Sequence, residues 1–84
     1  MRVAVDISLY PLDADFIPPI KDVIERLNRY DGFEITTNAM STQIFGEFDE
    51  VMQALHQEIG TTFAAVPKAV FALRILNNPV TRNR

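Results

Sequence analysis

Two short stretches of this chain carry side chains suited to recognising a small molecule. Asp6, Ser8 and Tyr10 alternate along the first, and Asn38, Ser41, Thr42, Gln43 and Phe45 fall along the second. Together they offer a carboxylate, carboxamides, hydroxyls and aromatic rings. A flat heterocycle bearing an exocyclic amine asks for such a set, because a carboxamide presents donor and acceptor side by side while a carboxylate accepts from the amine. Tyr10 or Phe45 could stack on the ring or face a cation. The plainer alternative is an ordinary sheet surface, solvated or turned towards another subunit. Pattern alone leans that way, since antiparallel sheets commonly keep one polar face.

Reactive chemistry finds little support. The chain has no cysteine, which removes thiolate nucleophiles, thiolate metal sites and a disulfide framework. His56 is its one histidine, and beside a helical apolar stripe it reads as a surface residue. Asp13 with Asp15, and the Glu47, Asp49, Glu50 group, lack the spacing of a calcium loop. Ser41 and Thr42 stand outside any Gly-x-Ser-x-Gly elbow and have no histidine in a recognisable triad order. The expectation is a protein that binds, with no catalytic residue, cofactor or metal.

The candidate residues need elements to position them. Val3, Val5, Ile7 and Leu9 alternate with Ala4, Asp6, Ser8 and Tyr10, the period of a half-buried strand over 2–10. Pro18 and Pro19 suit the first turn of a helix. Ile20, Val23, Ile24 and Leu27 then form one apolar stripe, and Gly32 is the expected stop. Phe33, Ile35 and Thr37 alternate through a second strand, which pairs as a hairpin with a third at about 41–46. Glu47, Asp49 and Glu50 place negative charge at the start of a second helix. Its apolar positions are Phe48, Val51, Met52, Leu55, Ile59 and Phe63, with Gly60 as a weak point. A fourth strand covers 68–76, and residues 78–84 read as a polar, frayed tail.

Two βα units joined by a hairpin, with right-handed crossovers, give an α+β ferredoxin-like βαββαβ sandwich. The four-stranded antiparallel sheet is expected in the order 4-1-3-2, with both helices on one face, as a single domain over 1–77. Val3, Val5, Ile7, Leu9, Phe33, Ile35, Ile44, Phe71, Leu73 and Ile75 then face the helices as core. The opposite face carries Asp6, Ser8, Tyr10, Thr36, Asn38, Ser41, Gln43, Phe45, Val70, Ala72 and Arg74, and function is expected there. Met40, beside the hairpin, reads as turn packing rather than pocket wall.

Charge and length narrow the partners. The 84 residues carry a net charge of −3, which disfavours nucleic acid and other polyanions. An RNA-recognition module would put basic and aromatic residues where Asp6, Ser8, Ser41 and Gln43 stand. An acylphosphatase-like enzyme would need a Gly-rich anion loop where Asp13 and Asp15 stand. No apolar run approaches the roughly 20 residues of a membrane span, and the start lacks a long apolar targeting segment. A cytoplasmic protein without membrane contact is expected, and so small a domain would gain from oligomerisation.

The segment from Asn38 to Val51, Asn-Ala-Met-Ser-Thr-Gln-Ile-Phe-Gly-Glu-Phe-Asp-Glu-Val, resembles the YkoF-like family of thiamine- and hydroxymethylpyrimidine-binding domains. Asp6 to Leu12 and Phe16 to Ile20 agree with the same family's opening strand and helix start. The resemblance implies a ferredoxin-like domain without enzymatic activity that binds the pyrimidine of thiamine or its precursor and associates into homodimers or homotetramers. By transfer and by chemistry together, Asn38 and Gln43 would meet the ring nitrogens and amine, and Asp6 would accept from the amine. Ser41 or Thr42 would orient the ring, with Tyr10 and Phe45 as stacking walls. The family includes tandem two-domain members, so a pocket completed there by a second domain would need a second subunit here. The competing expectation is a homo-oligomeric interaction or regulatory module that uses the uncovered sheet face and binds nothing small.

Overall fold

Burial follows the alternation of the opening strand: Val3, Val5, Ile7 and Leu9 are buried, and the residues between them face the other way. A computed structural model describes residues 1–79. The elements are β1 (Arg2–Pro11), α1 (Ile17–Leu27), β2 (Glu34–Thr37), β3 (Thr42–Glu47), α2 (Phe48–Ala65) and β4 (Ala69–Asn77). The strands form one antiparallel sheet in the order β2-β3-β1-β4, the expected ferredoxin-like arrangement. Val5 lies opposite Ile44 on one side and Ile75 on the other. Of the tail expected at 78–84, residues 80–84 lie outside the described residues. No helix among the described residues is long and apolar enough to cross a membrane.

The core gathers the β1 alternation, Ile44 of β3, Val23 and Leu27 of α1, and Val51 and Leu55 of α2. Leu73 and Ile75 point to the helix side as expected, yet they are 38% and 47% exposed. The reason is positional. β4 is an edge strand, whereas the helices pack on the central strands, both on β1 and α2 on β3. At Gly46 the sheet packs closely under its cover, since a Cβ there would meet Phe33 Cδ1 at 2.7 Å and Val51 Cγ2 at 2.9 Å.

The helix ends depart from their sequence signals. α1 stops at Asn28 rather than at Gly32, where the Asn28 backbone N–H and its side-chain Nδ2 both donate to the Ile24 carbonyl, at 3.0 and 2.8 Å, and so hold the chain at the cap. The next turns tighten, with Arg29 N donating to Arg26 O and Tyr30 N to Leu27 O, both at 3.2 Å. α2 runs through Gly60 unbroken, the cost of about 1 kcal/mol for an exposed helical glycine being absorbed by the packed turns around it. Its N-cap is Glu47, which accepts from Asp49 N at 2.9 Å.

The helices are fastened by charge. Glu58 of α2 is only 6% exposed, and Arg26 of α1 answers it. Arg26 Nε donates to Glu58 Oε1 at 2.6 Å, while Nη2 donates to the Glu58 carbonyl at 3.1 Å and to Thr62 Oγ1 at 2.7 Å. Asp22 takes the remaining side of the guanidinium. Tyr30 completes the set, its hydroxyl donating to Glu58 Oε2 at 2.7 Å, and its ring stacks on Phe33 at 5.3 Å. A buried carboxylate is tolerated only when paired and hydrogen-bonded, and both of its oxygens are used here.

Two outcomes are expected from this network. Arg26→Met strands the buried carboxylate and should cost about 3–5 kcal/mol in urea unfolding, whereas adding Glu58→Leu should recover much of that loss. The second concerns alkali. The hydrogen bond to Glu58, then burial and the Glu58 charge, raise the Tyr30 phenol above its ordinary 10.0. The stabilisation is therefore present below that value and lost as pH rises through the raised one. Phenol absorbance should show a late-titrating tyrosine that disappears in Tyr30→Phe, together with a shallower alkaline loss of stability.

Candidate functional site

Two loops meet at one end of the sheet. After Pro11, the chain turns through Leu12–Phe16, held to the start of β4 by Leu12 N donating to the Lys68 carbonyl at 3.0 Å. Asp13 Oδ1 accepts from Asp15 N at 3.2 Å, an Asx turn that leads into α1. The β2–β3 connection is closed by Asn38. Its Oδ1 accepts from Met40 N at 2.8 Å and Ser41 N at 3.0 Å, while its own N–H donates to the Ser41 carbonyl at 3.0 Å. With the side-chain oxygen committed to the turn, the Nδ2 amide group is the part of Asn38 left to meet a ligand. Ser8 Oγ donates to the Met40 carbonyl at 3.4 Å, tying the turn to β1.

Between these loops and α1 lies a cavity of about 540 Å³, within the range of small-molecule sites. Ile7, Leu9 and Thr42 line it from the sheet, and Ile20, Val23, Ile24 and Leu27 from α1. Leu12, Phe16 and Met40 stand at its mouth, and Phe71 closes it from β4. Apart from Tyr10, its polar side chains belong to the hairpin or to Ser8, which is bonded to it: Ser8, Thr37, Asn38, Ser41 and Thr42. Thr37 and Thr42 share a hydrogen bond at 3.0 Å between their hydroxyls. Among the described residues none that lines the cavity is charged.

Of the residues expected to form a site, Ser8, Tyr10, Asn38, Ser41 and Thr42 line this cavity, whereas Asp6, Gln43 and Phe45 do not. Those three lie on the uncovered face, Asp6 opposite Gln43 and Phe45 opposite Ala4. Asp6 Oδ2 accepts from Arg74 Nε at 3.0 Å and also from Nη2. Its Oδ1 is buried and closes no well-formed hydrogen bond among the described residues. The Ser41 hydroxyl first, and the Arg74 guanidinium second, hold this carboxyl below its ordinary 3.8, against the opposing effect of burial.

The cavity thus sits on the helix side of the sheet end and reaches round to the polar face only at the tips of β1 and β3. Sequence reasoning missed its apolar half. Met40 is not turn packing; it is 84% exposed at the cavity mouth. The available signal was apolar residues, Leu12, Phe16 and Met40, inside segments otherwise composed for polar turns.

The sequence model described as thiamine-binding protein matches residues 5–82. The UPF0045 protein MJ1052 of Methanocaldococcus jannaschii is 32% identical over 76 residues, covering 88% of this chain and 75% of that protein. Its crystal structure superposes with a TM-score of 0.81 at 29% identity, over 99% of this chain and 87% of that one. A Thermotoga maritima protein, TM0486, described as a candidate thiamine biosynthesis/salvage protein, superposes with a TM-score of 0.88 at 22% identity, over 99% and 92% of the two chains. SP2199 of Streptococcus pneumoniae gives 0.87 at 22% identity, over 95% and 90%. The last two likenesses concern the fold; the sequence match extends over nearly the whole chain, and the chain belongs to the thiamine-binding protein family.

Proposed function

We propose that the cavity between α1 and the hairpin end of the sheet binds thiamine or its hydroxymethylpyrimidine moiety without catalysis, so that the protein supplies, salvages or buffers the vitamin in the cytosol. The observation that carries this reading is the cavity's composition: an uncharged, mostly apolar slot whose polar side chains, Tyr10 apart, belong to the hairpin or to Ser8 bonded to it. A flat aminopyrimidine presents the matching set, apolar faces and a polar edge. Asn38 Nδ2 would donate to a ring nitrogen, and the hydroxyls of Ser8, Ser41 and Thr42 would accept from the exocyclic amine. Tyr10 and Phe71 offer faces for the ring. The thiazolium cation of thiamine would lie towards the mouth, near Phe16 and the acidic loop of Asp13 and Asp15. Asp6 would act from behind, through its influence on Ser41, while Gln43 and Phe45 lie outside the cavity.

The test is isothermal titration with thiamine, hydroxymethylpyrimidine and an unrelated heterocycle. Asn38→Asp keeps the oxygen that closes the turn and removes the amide donor. It should weaken binding by about tenfold or more, equivalent to about 1.4 kcal/mol. Unchanged affinity in that variant, or no binding by the parent protein, would reject the assignment.

A second role for the surface is favoured by β4. This edge strand exposes Val70 and Leu76 on one face and Leu73 and Ile75 on the other. It lacks the proline or bulge that commonly blunts an edge. A second copy of the chain is the occupant that suits it, giving a homodimer, or a homotetramer if the uncovered face also packs. Light scattering should report a multiple of the monomer mass, and Leu76→Glu should shift it towards monomer.

A further inference from the structure

Phosphate groups are usually held at a helix start, where backbone N–H groups without intrahelical partners point outwards, and by nearby cations. α1 begins at the cavity, its N-cap Phe16 forming part of the lining. Yet the first helical positions are Ile17, Pro18 and Pro19. Proline has no N–H, so two of the four donors that would meet an anion at this end are missing. The loop leading in carries Asp13 and Asp15, both exposed. Among the described residues no cation lines the cavity, and Arg74 is engaged with Asp6 on the uncovered face. Lys68 is at this end of the sheet, its carbonyl taken by Leu12 N, and it is not among the residues lining the cavity.

From this we infer that the cavity takes its ligand as the free alcohol and turns away the phosphate esters, with Pro18, Pro19 and the acidic loop as specificity determinants. The inference rests on the ligand reading above and adds to it a direction of selection. Pro18 and Pro19 are not among the lining residues, so they act on what reaches past the mouth rather than on the ring.

The experiment measures dissociation constants for thiamine and thiamine monophosphate, and for hydroxymethylpyrimidine and its phosphate, by titration at low and moderate salt. The parent protein should bind each ester about tenfold or more weakly than its alcohol. A Pro18→Ala, Pro19→Ala double variant regains two donors and should narrow that ratio by about threefold or more, with the alcohols held within about twofold. Asp15→Asn, a change at an exposed loop position, should narrow it independently, more so at low salt. Esters that bind as tightly as the alcohols would overturn the selection while leaving the ligand reading intact. A ratio unmoved by both variants would overturn the assignment to these residues. Binding of neither alcohol nor ester would remove both readings together.

Discussion

A carboxylate in the middle of a helix interface must be matched or the interface will not close, and Arg26 and Tyr30 match Glu58 from the α1 side. The match falls in the last turn of α1 and just beyond it. This end of the helix is bolted to α2 by directional bonds, while the first turns pack on the core through Ile20, Val23 and Ile24. α1 is therefore fixed at one end and forms a roof at the other. The cavity lies under that roof, so its width depends on a contact that no ligand would touch. The Tyr30–Phe33 stack carries the constraint onward to β3, since Phe33 lies against Gly46.

Much of this architecture is legible in the sequence because it rests on periodicity. The alternation from Val3 to Leu9 specifies a central strand, and the stripe of Ile20, Val23, Ile24 and Leu27 specifies a covering helix; the strand order follows from connection rules. What escapes is whatever depends on tertiary pairing. Arg26 and Glu58 are 32 positions apart and read singly as solvated helix charges. α1 ends at Asn28, before Gly32, at a cap whose side-chain bond propensity does not anticipate. Leu73 and Ile75 have the alternation of core residues, but their exposure is decided by how far the helices reach over the sheet.

The site divides in the same way. Its polar half could be read because short hydrogen-bonding residues recur at alternate positions along Asp6–Tyr10 and Asn38–Gln43. Which of them share a cavity could not, because alternation assigns a face and not a position along it. Ser8, Tyr10 and Ser41 lie at the strand tips, where the sheet ends and both faces open onto one space. Asp6 and Gln43 lie further along the same strands and fall outside it. The apolar half comes from α1 and the loop before it, which alternation in the strands does not address.

The turn between β2 and β3 is closed by the Asn38 carboxamide oxygen and by backbone groups, with no help from the side chains of Ala39 and Met40. Those two positions therefore project into the cavity mouth without bearing on the frame that holds them. Evolution can exchange them freely at little cost to folding, and the shape of the entrance can drift from one descendant to another while the recognition groups behind it stay in register. Diversity of ligand among proteins built on this hairpin would then accumulate at the two residues that do the least to hold it together.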